Sequence, residues 1–234
     1  MKRLLLAVIV GAAALSVGGL VLLRGASTLP EADLAPIKQL VPLEEALHWR
    51  ERVERSSTAF ADPGTAKAAG YLPLEPPGLT VWQHLVNWPV IADDDLLDPD
   101  APEALLYRVE NDTWTLVAEV FLLPKRYTFA NTPAIAEGAA VWHTHPTACL
   151  EGDPFDNPEL GRIDLDCATG TRFPDNLMVH AWVTPNACGP FSTAIVEEET
   201  LKLITEGVSG LDENGKIPGC EPELAERVWP GVTG

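Results

Sequence analysis

The first pattern along the chain is an apolar run from Leu4 to Leu23, which holds no charged residue and directly follows Lys2 and Arg3. A helix of about 20 residues spans about 30 Å, the thickness of the hydrocarbon core of a membrane. The apolar core of a cleaved signal peptide is usually shorter, about 7–15 residues. The run therefore predicts an uncleaved transmembrane signal anchor over residues 1–24, with a cleaved signal peptide as the alternative.

The chain after the anchor divides into a stalk and a domain. Pro30 and Pro36 lie in residues 25–41, and their presence favours an extended stalk over a packed element. Because basic residues that flank a span stay on the cytoplasmic side, the rest of the chain is expected outside the cytoplasm, in the periplasm or the extracellular space. We therefore expect residues 42–234 to form a single extracytoplasmic domain, which is long enough to bury a core.

Helical periodicity opens this domain. Apolar residues recur at helical spacing after Pro42, which itself suits the first position of a helix. The turn residues Asp62–Gly64 end the pattern, and a short second helix is expected over Thr65–Ala69, before Gly70. The apolar positions of the first helix are Leu43, Ala46, Leu47 and Val53.

Apolar runs of strand length occupy the middle of the chain. Two of them, Ala104–Val109 and Trp114–Leu123, are separated by the short polar stretch Glu110–Thr113, which predicts a β-hairpin. Two further strand candidates, Ala139–His145 and Leu177–Thr184, are each closed by a proline. These elements predict an α+β fold whose core is an antiparallel β-sheet or a small barrel.

The remaining segments favour loops and one last helix. Residues 71–103 are rich in proline and aspartate, and we expect a long loop there. A second long polar segment lies between the third and fourth strand candidates, and such a segment is usually functional, disordered or stapled by a disulfide. A final helix is predicted over Glu197–Glu206, with Gly207 as its C-terminal stop.

Charge excludes two classes of partner. The formal net charge is −18, and residues 1–24 contain three basic residues and no acidic one, so the rest of the chain carries −21. A nucleic-acid-binding surface needs a basic footprint, and anionic lipid headgroups also attract basic segments. We therefore expect no nucleic-acid partner, and membrane contact only through the N-terminal helix.

Four cysteines fit an oxidising location. They allow three disulfide pairings, of which we favour Cys149–Cys167, which closes a polar loop, and Cys188–Cys220, which ties down the tail. The competing reading is a four-cysteine zinc site. It lacks the two-residue spacing between cysteines that is typical of such sites.

Histidines supply the candidate chemistry. His143 and His145 stand two positions apart near the end of a predicted strand, so their side chains point to the same sheet face. His180 lies in the next predicted strand and supplies a third ligand if the two strands pair. Three imidazoles with an open position suit a mononuclear site for Zn, Cu, Fe or Ni.

The other histidines and two carboxylates complete the set of candidates. His84 is a possible fourth metal ligand, whereas His48 lies on the charged face of the first helix and is expected to be solvated. Glu119 and Glu151 are candidates for a catalytic base or a fourth ligand. The structural alternative is that His180 packs in the core and makes a hydrogen bond to the backbone.

Two short motifs resemble known metal sites. The order His143, His145, Glu151 and His180 resembles the cupin pattern of two histidines, a glutamate and a later histidine. Its spacing departs from that pattern by one residue on each side of the histidine pair, and the later Pro-x-Gly is missing. The string Val-Trp-His-Thr-His-Pro is similar to the JAMM metalloprotease core, but the expected serine and aspartate are replaced by Pro154 and Asn157.

A longer series of motifs covers about residues 65–192. Its pieces are Gly70-Tyr71, His84 with Asn87, Pro102–Tyr107, Leu116–Glu119, Trp142-His143-x-His145 with Cys149, Met178–Trp182 and Gly189–Phe191. The series resembles an uncharacterised family of exported, membrane-anchored bacterial proteins. The resemblance implies no reaction, and it places the four candidate metal ligands at motif positions of the family.

The sequence thus leaves two hypotheses. In the first, a membrane-anchored extracytoplasmic domain holds a divalent transition metal (Zn, Cu or Fe) for metal binding or for metal-dependent chemistry on a small molecule. In the second, the histidines are structural, and the acidic domain is a non-catalytic interaction module. No nucleophile elbow, phosphate-binding loop or dinucleotide fingerprint is present to suggest another chemistry.

The length and flanking charge of the apolar run predict that the mature protein keeps its N-terminus. N-terminal sequencing of the exported protein should therefore not begin inside the run. A mature sequence that starts near Leu15 or Leu20 would identify a cleaved signal peptide instead.

Overall fold

A five-stranded antiparallel sheet organises the part of the chain that the structure describes. The structure is a computed structural model, and it describes residues 42–93, 95–144, 149–172, 176–193 and 220–232. Together the sheet and its helices form an α+β fold, as predicted.

Several sequence-based predictions lie outside the described residues. These are the membrane anchor over residues 1–24, the stalk over residues 25–41 and the helix over Glu197–Glu206. None of the helices in the described part of the chain is both long enough and apolar enough to cross a membrane.

The large sheet has the strand order β1-β2-β3-β4-β7, and every neighbouring pair is antiparallel. A second sheet consists of β5 and β6. The strands are β1 (Leu72–Pro73), β2 (Trp82–Val86), β3 (Ala104–Glu110), β4 (Thr113–Leu122), β5 (Cys149–Leu150), β6 (Thr171–Arg172) and β7 (Met178–Trp182). The helices are α1 (Leu43–Ser57), α2 (Pro63–Ala68), α3 (Trp88–Ile91) and α4 (Pro222–Val228), with 3₁₀ turns at Thr58–Phe60, Ala136–Gly138 and Pro158–Leu160.

The predicted β3–β4 hairpin is confirmed. Asn111 and Asp112 form its turn with φ angles of 50° and 63°. A two-residue turn with positive φ at both positions matches the twist of the flanking strands, and asparagine and aspartate tolerate that conformation. The predicted helices at the start of the domain are confirmed as well, although α2 begins two residues early because Asp62 caps it by accepting hydrogen bonds from the amides of Gly64 and Thr65.

The prediction of a long loop over residues 71–103 is wrong. That segment supplies β1, β2 and α3, and β2 pairs with the centre of the sheet. Its prolines do not prevent this, since Pro73 lies in the edge strand and Pro89 lies in the first turn of a helix, where no amide hydrogen is needed.

The predicted strand over Ala139–His145 is also wrong for the residues described. The segment follows the 3₁₀ turn at Ala136–Gly138, and His143 forms an isolated antiparallel bridge with Met178. The described part of this segment pairs with β7 only at this bridge, and the indole of Trp142 donates to the carbonyl of Pro133 at 2.8 Å. The argument that placed two histidines on one strand face therefore loses its basis.

The two faces of the sheet are covered by different parts of the chain. Helix α1 packs Trp49 and Val53 against Phe121 and its neighbours on one face. Leu150, from the segment between Cys149 and Cys167, packs on the opposite face. Helix α1 is also tied to β7 by the guanidinium of Arg50, whose Nε donates to the carbonyl of Trp182 at 3.0 Å.

Both predicted disulfides are present. Cys149–Cys167 encloses the segment that covers the second face, and Cys188–Cys220 joins the end of the sheet region to helix α4, which the sequence did not predict. The amide of Glu221 donates to the carbonyl of Cys188 at 2.8 Å, so backbone hydrogen bonding reinforces this second link.

The disulfides should stabilise the domain measurably. They close loops with sequence separations of 18 and 32 residues. On the loop-entropy model these contribute about 3 and about 4 kcal/mol to the free energy of unfolding. Chemical denaturation of the Cys149→Ser/Cys167→Ser and Cys188→Ser/Cys220→Ser variants should show these losses. The native full chain should carry no thiol that reacts with an alkylating agent before reduction, and reactive thiols would contradict the pairing.

Candidate functional site

Three of the predicted histidines lie on one face of the sheet. His84 pairs with Leu106 of β3, and His180 pairs with Val120 of β4. Both partners belong to the apolar cluster beneath the Cys149–Cys167 segment. His143 pairs with Met178, two residues from His180 on the same strand face, so it extends the sheet beyond β7 by one residue pair.

The rings of these three residues, here called the histidine cluster, approach one another closely. The ring centres of His143 and His180 are 4.9 Å apart, and those of His84 and His180 are 6.3 Å apart. His180 is therefore the central member, and it is only 4% exposed. The ring of Trp182 lies beside it, with the ring centres 5.9 Å apart.

The rings of His84 and His180 approach each other across two intervening strands. Strands β2 and β7 are separated by β3 and β4, so a flat sheet would hold them about 14 Å apart. His84 and His180 lean toward each other across these strands. There Ala104 and Ala118 present only methyl groups on the same face.

One ring of the cluster is held by a carboxylate. Nδ1 of His84 lies 2.5 Å from Oε1 of Glu75, and the backbone amide of His84 donates to Oε2 of the same carboxylate at 2.6 Å. The other ring nitrogen, Nε2 of His84, is buried and has no hydrogen-bond partner among the residues that the structure describes. A carboxylate that binds one nitrogen of a histidine while the other remains available is the usual outer shell of a metal-binding histidine.

The ring separations can be compared with those required by an ion. Two imidazoles on a tetrahedral ion, with bonds of about 2.1 Å, place their ring centres about 5 Å apart. The pair His143 and His180 has this separation, whereas His84 is about 1 Å too far from His180. Within the described ranges no group of three or more histidine, cysteine or acidic side chains forms a ready metal site.

The other predicted candidates are placed as follows. His145 lies outside the described residues, so its role stays a prediction. Glu151 follows β5 with an exposed side chain, and His48 is exposed on α1, where its Nδ1 lies 3.5 Å from Glu51. Neither Glu151 nor His48 joins the histidine cluster in the contacts of the described part of the chain.

Glu119 does not face the histidines. It pairs with Leu105 and Ala181, while the neighbouring Val120 pairs with His180, so Glu119 points to the opposite face, beneath helix α1. It is fully buried there, and burial raises its pKa to about 9, although the hydroxyl of Ser56 acts in the opposite direction. The sheet therefore separates Glu119 from the cluster, and the role of base or fourth ligand does not fit its position.

Sequence reasoning missed Glu75. It lies in the segment interpreted as a loop, nine positions before His84, and no pattern in the sequence connects the two residues. The only available signal was the candidate histidine itself, since a ligating histidine usually needs a carboxylate or carbonyl partner.

Comparisons with known proteins add no relative. No protein-family model, curated protein or solved structure matches the chain.

The position of Glu119 predicts a pH-dependent stability. The pKa of Glu119 is about 9 in the folded protein, and its ordinary value is 4.5. Between pH 4.5 and pH 9, Glu119 is therefore protonated in the folded protein and ionised in the unfolded chain. The free energy of unfolding should therefore fall as the pH rises from about 4.5 to about 9, and Glu119 alone contributes at most about 1.4 kcal/mol per pH unit to this fall. Glu119→Gln should reduce this slope in denaturation experiments across that range.

Burial also raises the pKa of Glu103. Part of the pH dependence should therefore remain in the Glu119→Gln variant. The exposed Glu223 offers a matched control, because Glu223→Gln should leave the slope unchanged. Equal slopes in the wild-type and Glu119→Gln proteins would contradict the assignment.

Proposed function

We propose that this protein is a membrane-anchored extracytoplasmic protein with a histidine-rich site for one transition-metal ion. The ligands in this proposal are His143, His145 and His180, with His84 as the fourth. The site would serve either metal binding or metal-dependent chemistry on a small molecule.

The observation that carries the proposal is the state of the His84 ring. A buried acceptor nitrogen without a partner costs about 1–3 kcal/mol. Nε2 of His84 is in that position among the described residues, although Nδ1 of the same ring is firmly bound by Glu75. A ligand that binds Nε2 would remove this cost, and two further imidazoles lie within reach of the same region.

The donor set favours borderline transition metals. Imidazole nitrogens suit Zn, Cu and Fe, whereas Ca²⁺ and Mg²⁺ prefer oxygen ligands. Since the cysteines are in disulfides, thiolate ligands do not compete. In a catalytic version, the ion would lower the pKa of a bound water or polarise a substrate at an open coordination position.

Location is proposed on two grounds. Disulfides persist in oxidising compartments, and both cysteine pairs of this chain are bonded. The apolar run from Leu4 to Leu23 would hold the domain at the membrane surface.

A second candidate function rests on the burial of His180. Its ring is almost completely enclosed and packs against Trp182, as a structural core histidine would. In that case the cluster only stabilises the sheet, and the strongly acidic domain serves as a non-catalytic interaction module.

Metal analysis of the full chain separates the two functions. Protein exported to an oxidising compartment, purified in mild detergent and dialysed without chelator should retain about one Zn, Cu or Fe ion per chain by elemental mass spectrometry. His143→Ala and His180→Ala should each lower the metal content clearly below that of the wild type, because each removes one of the proposed ligands. His48→Ala, which removes an exposed histidine, should retain the wild-type content.

The structural function makes a different prediction for the same samples. There, metal content stays at zero in every protein, and His180→Ala lowers the free energy of unfolding by about 1–3 kcal/mol. Metal-free wild-type protein that stays folded and takes up no added Zn²⁺, Cu²⁺ or Fe²⁺ would reject the metal site.

A further inference from the structure

At the β1 edge of the sheet, a side-chain carboxylate accepts a hydrogen bond that a backbone carbonyl would usually accept. In an antiparallel pair, a residue such as His84 exchanges two hydrogen bonds with the residue opposite. Here the amide of Leu74 donates to the carbonyl of His84 at 2.9 Å, but the carbonyl of Leu74 accepts from Ile163 at 2.8 Å. The amide of His84 donates instead to the carboxylate of Glu75 at 2.6 Å.

This substitution brings the carboxylate beside the imidazole. One oxygen of Glu75 accepts from the backbone of His84, and the other lies 2.5 Å from Nδ1 of the same residue. The side chains are enclosed, with 10% of Glu75 and 18% of His84 exposed. Both carboxylate oxygens are thus committed to one residue, which restrains the backbone and the ring of His84 together.

The contact determines which ring nitrogen carries the proton. An ionised carboxylate is only an acceptor, so Nδ1 must be the donor. In a neutral imidazole the proton on Nδ1 leaves a lone pair on Nε2. That nitrogen is the buried atom without a partner among the described residues.

The chain contains a natural comparison for this pair. Nδ1 of His48 also lies near a carboxylate, that of Glu51, but at 3.5 Å, and the side chains are 76% and 56% exposed. Water competes freely for such a contact, so it imposes no tautomer. The short distance and the burial at Glu75 and His84 are what make that pair restrictive.

We infer that Glu75 is a positioning residue of the histidine cluster: it holds His84 as the Nδ1–H tautomer and so presents Nε2 as the ligand-binding atom. This inference rests on the proposed function in one respect, namely that the ligand bound by Nε2 is a metal ion. The control of the tautomer by Glu75 does not depend on any metal.

Nuclear magnetic resonance tests the tautomer directly in the metal-free full chain. Long-range ¹H–¹⁵N correlation spectra at neutral to mildly alkaline pH, with the His84 signals assigned by their loss in His84→Ala, should show a protonated Nδ1 and an unprotonated Nε2. Glu75→Ala should give a mixture of tautomers or a protonated Nε2, while Glu51→Gln should leave His84 unchanged. A protonated Nε2 in the wild-type protein, or an unchanged tautomer in Glu75→Ala, would overturn the inference.

Titration with Zn²⁺ alone tests the consequence for binding. Glu75→Ala should weaken the affinity about 10–100-fold, with a smaller loss for Glu75→Gln, whose amide oxygen still accepts from Nδ1. Glu51→Gln is the matched control and should bind as the wild type does. Unchanged affinity in a folded Glu75→Ala protein would contradict the positioning role, with folding checked by circular dichroism.

The two arms distinguish the two proposals. A wild-type protein that binds no metal would refute the proposed function, and the resonance spectra would still decide whether Glu75 controls the His84 ring. If the wild type binds Zn²⁺ and Glu75→Ala binds it equally tightly, the proposed function stands and the positioning role of Glu75 is refuted.

Discussion

The register of β4 between β3 and β7 determines which side chains meet on each face of the sheet. Val120 lies opposite His180, so His180 shares a face with His84, and Glu119 lies on the other face. Because side chains alternate along a strand, a slip of one residue would exchange these faces completely. The histidine cluster exists only because this register is maintained, and the burial of apolar residues on both faces maintains it.

The two faces of the sheet bury different kinds of polar side chain. Beneath α1, burial favours the neutral form of Glu119, and this carboxyl serves no visible binding role. On the other face, imidazoles of three residues converge under a segment closed by the Cys149–Cys167 disulfide. The sheet therefore separates the buried carboxyl of Glu119, beneath α1, from the histidine cluster, beneath the segment that the disulfide closes.

Both outer members of the cluster lie where regular pairing ends. His143 extends the sheet beyond β7 through a single bridge, and His84 faces β1, where Glu75 replaces a backbone acceptor. Sheet margins have backbone groups that need partners, and side chains or isolated bridges can supply them. These irregular contacts bring a carboxylate and a third histidine next to the regular strand that carries His180.

The sequence alone determined the features that depend on local patterns. Periodicity and the Asn111-Asp112 turn predicted the first helix and the central hairpin, and the spacing of the cysteines favoured the pairing that is present. Such features depend on neighbours in the chain, or on a choice among only three pairings.

Tertiary structure decided the rest. Part of the proline-rich segment forms β2 because it pairs with β3 along its whole length, whereas the apolar run that ends at His143 pairs with β7 only through one bridge. Glu119 was assigned to the site and lies behind the sheet, while Glu75 was overlooked and holds a ring of the cluster. A face of a sheet is defined by partners distant in sequence, so only the folded chain could decide which carboxylate meets the histidines.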